Sequence, residues 1–518
     1  MGPGERTGAT GRRIERAVRE PAPLRWLARR PAYPWFVVGT VCIGAFMGQL
    51  DASIAQLVLP TLETTFHARL SAVDWVALAY LLALAGSLPI FGRLADMVGR
   101  KLLYTGGFLV FVAGSALCGF APTLGFLIGA RIFQAIGAGL LQANSVAIIT
   151  VAAGPRHRGR AIGLQGAAQA IGLSVGPALG GLLIQVLGWR WVFWIAVPAG
   201  LLGAALGWLV LPRTAGLRRD QPFDVGGALL LAPGLTALLL AVNEGRRWGW
   251  TSAPLLVCAV AGALLLALFV WHERRTPSPL IDLRLFDRPV FSAGNLAGLL
   301  SYGILFAIFF LLPFALERGY GQTPLQAGLL LSAVPLALGL VAPLSGRLSD
   351  KIGARPLTVA GMLVAAGALV ALAQAISGRG ATLPGVVAAL AAFGLGQGLF
   401  TAPNNSAIMG AAPAERLGVA GGLLNVTRTL GTSLGVAVAT VVFADRLAAA
   451  AGRAISTVTA PRGAVLAGVH DTLLLFAALA MVAAGISLVR GAAGSVPGTV
   501  AERPRGARAR PPELAGGE

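Results

Sequence analysis

The stretch Gly92-Arg93-Leu94-Ala95-Asp96-Met97-Val98-Gly99-Arg100-Lys101 closes one long apolar run of the chain. A near copy, Gly346-Arg347-Leu348-Ser349-Asp350-Lys351-Ile352-Gly353-Ala354-Arg355, closes another. Glycine, arginine, leucine, aspartate and glycine recur at a constant offset of 254 residues, with Pro89 and Pro343 ahead of them. Fainter echoes pair Gly137, Gly139 and Leu140 with Gly396, Gly398 and Leu399, and Gly172 and Gly176 with Gly431 and Gly435. A repeat of this length, set among apolar segments, predicts two parallel halves with a site between them.

The apolar runs themselves are membrane-crossing in length. About 20 apolar residues span the roughly 30 Å hydrocarbon layer. Fourteen such runs occur: 35–59, 73–91, 102–120, 124–151, 161–187, 191–211, 225–242, 253–271, 291–316, 326–344, 357–376, 383–410, 419–443 and 472–488. Hydrophobic residues make up 56% of the 518 and Asp, Glu, Lys and Arg only 12%, about half the roughly 25% usual in soluble domains. So few charges cannot clothe a water-exposed surface, which excludes a cytosolic enzyme, a secreted scaffold and a disordered chain. Cys42, Cys118 and Cys258 all lie inside apolar runs and offer neither a disulfide framework nor a cysteine metal site. The expected fold is an all-α polytopic membrane protein. A basic tail (1–34) precedes a six-helix bundle (35–212), a linker with two inserted helices (213–288), a second six-helix bundle (289–491) and a second tail (492–518).

Basic residues orient this bundle. With the amino terminus in the cytoplasm, the inside segments hold 30 of the 41 Lys and Arg and the outside loops 9. Both termini are therefore expected in the cytoplasm. The net charge of +20 is accounted for by this asymmetry, so no nucleic-acid partner is implied; contact of the tails with anionic lipid is. The 39 Arg against Lys101 and Lys351, with the Ala and Gly load, point to a GC-rich bacterial genome and hence to the inner membrane.

Asp51 is the one carboxylate that the fourteen runs hold well away from an end. An ionised side chain at mid-bilayer costs at least ~2.5 kcal/mol on insertion scales, so it needs a partner or a task. Asp51 stands 9 residues before Pro60, roughly 13 Å below the outer end of its span. Arg131 stands 9 residues after Pro122 in a span running the other way, at a matching depth, with Gln134 one turn on. The three can meet at one level in the first half. Such a trio either locks two helices as a static pair or exchanges a proton. Burial favours the neutral form of a carboxyl and an adjacent guanidinium the ionised one, so a change in either moves a proton. His67, His157, His272 and His470 lie in loops or at span ends and offer no relay.

Several motifs resemble those of the major facilitator superfamily, and in particular its fourteen-span drug/proton antiporter branch. The loop at Gly92–Lys101 is similar to the superfamily's signature loop. Arg131-Ile132-Phe133-Gln134-Ala135-Ile136-Gly137 resembles its RxxQxxG motif. The segment Gly172-Leu173-Ser174-Val175-Gly176-Pro177-Ala178-Leu179-Gly180-Gly181 resembles the antiporter motif. Leu50-Asp51-Ala52-Ser53-Ile54 with Leu59-Pro60, and Gly188-Trp189-Arg190-Trp191-Val192-Phe193, are similar to that branch. The resemblance implies the major facilitator fold and assigns Asp51, Arg131 and Gln134 to proton coupling. It implies that Gly92, Asp96, Gly99, Arg100 and Asp350 form a conformational latch, the aspartates accepting from helix N-termini and pairing with Arg. It also implies that Gly172, Gly176, Pro177 and Gly180 seal the cavity against proton leak; their i, i+4, i+8 glycines equally permit close helix packing.

Four further residues bear on a cavity between the halves. Asn404 and Asn405 follow Pro403 and either orient a substrate or satisfy the backbone the proline frees. Arg428, with Asn425 nearby, either lines the cavity or hydrogen-bonds helix carbonyls. The function expected is proton-driven export of amphiphilic drugs or natural products, cationic or neutral, by a monomer that needs no cofactor beyond the proton gradient and no metal. A specific exporter of an endogenous metabolite is the alternative within transport. An integral-membrane enzyme or sensor finds no support, since there is no HExxH, no GxSxG beside a base and no GxxxxGK[ST] loop.

Overall fold

The computed structural model describes residues 20–68, 70–73, 75–214, 222–249, 251–322, 324–377, 383–413, 416–452 and 460–489. The two basic tails are thus outside the described residues apart from positions 20–34 of the first. Among the described residues the regular structure is entirely helical. We number the long helices α1 (Tyr33–Phe66), α2 (Trp75–Val98), α3 (Arg100–Gly119), then α4 and α5 as the two arms of the run Leu124–Val186, and α6 (Trp191–Val210). The second half follows as α7 (Val225–Trp248), α8 (Ala253–Glu273), α9 (Pro289–Gly319), α10 (Gln326–Ile352), α11 (Ala354–Ser377), α12 (Leu383–Ala411), α13 (Leu417–Ala451) and α14 (Arg462–Val489).

The 63-residue run holding α4 and α5 would extend about 95 Å if straight, three bilayer cores. It breaks at Gly154, whose φ of 67° and ψ of 175° are not helical. Pro155 follows, and the residue before a proline is steered away from helical dihedrals, while glycine alone adopts a positive φ freely. The thirteen apolar helical runs among the described residues therefore contain fourteen segments of crossing length. The last loop is shorter than hydropathy predicts. Helix α13 runs on to Ala451 through an alanine-rich turn, and α14 starts at Arg462. These extensions are too polar to score as apolar spans, but their composition favours helix. Asp445 and Asp471 stand on them and are exposed, so neither competes with Asp51 as a buried mid-span acid.

How the apolar cores divide positions the site. At the end of the bundle that bears Asp96 and Asp350, one cluster spans both halves: Leu88, Ile148 and Ile162 pack with Ala342, Ile408, Met409 and Leu417 to Val426. Toward the opposite end the clusters separate. One, around Ile54, Leu127 and Phe193, belongs to the first half, and another, around Leu312, Phe393 and Phe476, to the second. The halves thus share a core at one end only. Helices α7 and α8 form a hairpin applied to the outside of α2, where Leu239 packs on Leu78, Leu82 and Ala85. Leu256, Val257, Val260 and Leu264 on α8 remain exposed, as a helix facing lipid requires.

Candidate functional site

The structure brings Asp51, Arg131 and Gln134 into direct contact. Nη1 of Arg131 donates to Asp51 Oδ2 at 2.8 Å and to Gln134 Oε1 at 2.6 Å. Gln134 Nε2 donates in turn to Asp51 Oδ1 at 2.9 Å and to Ser115 Oγ at 2.8 Å. Both carboxylate oxygens are therefore occupied, one by a cation and one by an amide. Arg131 is further held by the Val76 carbonyl, which accepts from Nε at 3.2 Å, and by the Tyr80 ring, 4.1 Å from its Cζ. All three residues are buried, Asp51 at 6% exposure, Arg131 at 1% and Gln134 at 0%. Helix periodicity explains the convergence: Arg131 and Gln134 lie on one face of α4, and α1 runs antiparallel against it. Breaking a buried pair by deleting one member commonly costs about 3–5 kcal/mol, because the other charge is stranded.

Helices α1 and α5 touch at two glycines. A Cβ on Gly172 would come 2.5 Å from the Phe46 carbonyl oxygen, and one on Gly176 would collide with the Ser53 hydroxyl. Gly180 is buried on the same helix, and the side chain of Pro177 lies outside the described residues. Because the obstacle at Gly172 is backbone, Gly172→Val has no soft neighbour to displace. Overpacking of this kind typically costs about 1–3 kcal/mol. We expect a clear fall in the melting temperature of purified Gly172→Val by scanning fluorimetry, and a much smaller one for Gly106→Val, where a Cβ meets nothing.

The repeated loops have matching partners in the opposite half. Asp96 accepts from the backbone N–H of Gly418 at 3.1 Å and of Val419 at 3.3 Å, the second and third residues of α13. Asp350 accepts from Gly159 at 2.7 Å and Arg160 at 3.0 Å, just after the Gly154 break. Helix N-termini carry unpaired donors and partial positive charge, so a carboxylate placed there satisfies both. Arg100 Nη2 also reaches Asp96 at 2.9 Å. Gly92 lets α2 and α13 approach at Gly418, and Gly346 does the same for α10 against Gly159. Gly99 turns the chain into α3 at φ +131°. A third link joins Arg158 Nε to Ser406 Oγ at 3.1 Å.

Between the halves, above this end, lies a cleft with an amide-rich wall. Gln165 and Gln169 face it from the first half, and Asn405, Asn425, Tyr302 and Arg428 from the second; Gln49 and Gln142 line a smaller pocket inside the first half that also meets Gln165 and Gln169. Arg428 Nη1 donates to Gln169 Oε1 at 3.2 Å across the gap, and its Cζ lies 5.4 Å from the Tyr302 ring. Asn425 Nδ2 donates to the Gln142 carbonyl at 3.0 Å. Asn404 does not line the cleft. It is fully buried toward α9, its amide donating to the Gly294 carbonyl at 3.1 Å, because a one-residue step on a helix turns a side chain by about 100°. The sequence reading passed over Gln165 and Gln169. Their i, i+4 placement in an otherwise Gly/Ala-rich span is the signal that marks them.

Comparison with known proteins gives concordant matches. A Major Facilitator Superfamily profile matches residues 41–436. The riboflavin transporter RibZ of Clostridioides difficile (strain 630) is 38% identical over 413 residues, covering 80% of this chain and 89% of its own. The multidrug resistance protein Stp of Mycobacterium tuberculosis (strain CDC 1551 / Oshkosh) is 33% identical over 408 residues, 79% and 75% of the respective chains. Among solved structures, the human organic anion transporter MFSD10 (TETRAN) superposes with a TM-score of 0.62 at 16% identity, covering 89% of this chain and all of its own. At that identity the likeness speaks for the fold alone.

Proposed function

The chain belongs to the Major Facilitator Superfamily and is a multi-pass membrane transporter, and from that premise we propose that it exports small amphiphilic compounds in exchange for protons. The observation that carries the reading is the buried Asp51–Arg131–Gln134 cluster. A carboxylate here is stable only while paired, and a proton is the smallest charge that can replace Arg131 as its partner. In the proposed cycle Asp51 takes a proton from outside, Arg131 is released toward Gln134, and the halves rock. The proton then leaves inward as the ion pair re-forms.

Asp96, Asp350, Arg100 and the glycines beside them act in this scheme as the latch of one conformation. Their contacts fasten the halves together at the end that the basic-residue asymmetry assigns to the cytoplasm, and the outer clusters stay apart. The state is one in which the cytoplasmic side is shut. We place the protein in a bacterial inner membrane as a monomer among lipids, both termini cytoplasmic, with protons and the transported compound as its partners.

Reconstitution into liposomes tests the reading. With an imposed pH gradient, screening amphiphilic compounds should find at least one whose movement dissipates the gradient. Compounds moved with no proton flux would contradict it. A narrower reading, export of one endogenous metabolite, is favoured by the likeness to a riboflavin transporter. It requires that riboflavin be carried and that it compete away every transported dye; broad export predicts several dyes that riboflavin does not displace.

A further inference from the structure

We propose that the cleft selects anionic aromatic amphiphiles, with Arg428 as the counter-ion that reads the charge. The inference rests on the export reading and names its substrate class. Among the described residues that line the cleft, Arg428 is the one charged side chain. The membrane-embedded acid is spent: both oxygens of Asp51 are taken by Arg131 and Gln134 inside the first half. The cleft wall therefore carries a net positive charge, which suits neutral or anionic compounds better than cationic ones.

The surroundings of Arg428 specify more than sign. A guanidinium is cationic at any physiological pH and presents five N–H donors in a plane. Here one bond goes to the neutral Gln169 amide, and no acidic partner occurs among the described residues. The Tyr302 ring supports the guanidinium 5.4 Å away, an arrangement that leaves the fork edge for a carboxylate or an ionised phenol to accept in bidentate fashion. Around it, Gln165, Asn405 and Asn425 offer neutral donors and acceptors, and Leu338 and Leu424 give apolar wall. A cation placed here would meet a like charge, which is disfavoured.

The same geometry links occupancy to movement. Gln169 belongs to α5 of the first half and Arg428 to α13 of the second. An anion that displaces Gln169 as the acceptor removes a bond between the halves in the act of binding. Arg428 is thus a specificity-determining residue that also senses the ligand.

Equilibrium binding to the purified full-length protein, with xanthene dyes of one shape and different charge, tests this without any proton flux. Fluorescein supplies the anion and rhodamine 123 the cation. The expected result is binding of fluorescein at least about tenfold tighter than rhodamine 123. Arg428→Gln should erase that preference and Arg428→Lys should keep most of it; Arg428 is only half-buried, so both variants should fold. Equal or tighter binding of the cation, no saturable binding of fluorescein, or a preference that survives in Arg428→Gln would each overturn the proposal. A failure here leaves proton coupling through Asp51 untouched, and Asp51→Asn is expected to leave the dye preference intact, so the two readings fail separately.

Discussion

Asp51→Asn is expected to abolish proton-coupled efflux while leaving ligand binding measurable. Asparagine keeps the shape of aspartate and one acceptor oxygen but cannot take up and give back a proton. In liposomes with an imposed pH gradient the variant should show no compound-dependent proton flux, a loss of more than about a hundredfold given the 10²–10⁴-fold scale of a missing proton-transfer group. Folding should survive, with reduced stability, because Arg131 retains the Val76 carbonyl, Gln134 and the Tyr80 ring. Arg131→Ala is predicted to be worse for folding, since it strands a buried carboxylate with only the Gln134 amide. If Asp51→Asn transports with wild-type coupling, the carrier lies elsewhere.

The second large effect is expected from breaking both of the proposed latches. In the double variant Asp96→Asn with Asp350→Asn, four backbone N–H groups at the starts of α13 and α5 lose their anionic acceptor. Hydrogen bonds to charged groups are worth roughly 1.5–3 kcal/mol, and the amide recovers part of that. A net loss of about 1–2 kcal/mol at each site shifts the balance between conformations roughly 30- to 1000-fold. The readout is a cysteine at Thr401, which lines the cleft, in a background with Cys42, Cys118 and Cys258 replaced by Ala. An impermeant maleimide applied from the cytoplasmic side should label it slowly in the parent and rapidly in the double variant. Unchanged labelling would mean that these aspartates do not hold the halves shut.

The fold and the Asp51–Arg131–Gln134 contact were open to reading in the sequence for different reasons. Bilayer thickness forces a length on each span, so thirteen helical runs with one internal break match fourteen predicted crossings closely. Asp51 stood out because an acid in hydrocarbon has so few benign explanations, and depth counted from Pro60 and Pro122 put Arg131 beside it. The cleft was harder. Gln165, Gln169 and Tyr302 are uncharged, and neutral polar side chains are ordinary in packed membrane helices, so nothing in the chain distinguished them from packing residues. Asn404 and Asn405 show the limit well: adjacent in sequence, they point about 100° apart, and only the azimuth of α12 decides which meets the cleft. The ends of α13 and α14 were misjudged because hydropathy reports the lipid-facing length, not where helical hydrogen bonding stops.

The most direct test of proton carriage is infrared detection of the Asp51 carboxyl itself. The carboxylic C=O band that disappears in Asp51→Asn would be followed against pH in the reconstituted parent and in the Asp96→Asn, Asp350→Asn double variant. A shift of that band's titration between the two preparations is predicted, because rocking changes the contact with Arg131 and the hydration. Identical titration in both, or a carboxyl that never changes protonation, would contradict a moving proton at Asp51 and leave the pair as a static lock between α1 and α4.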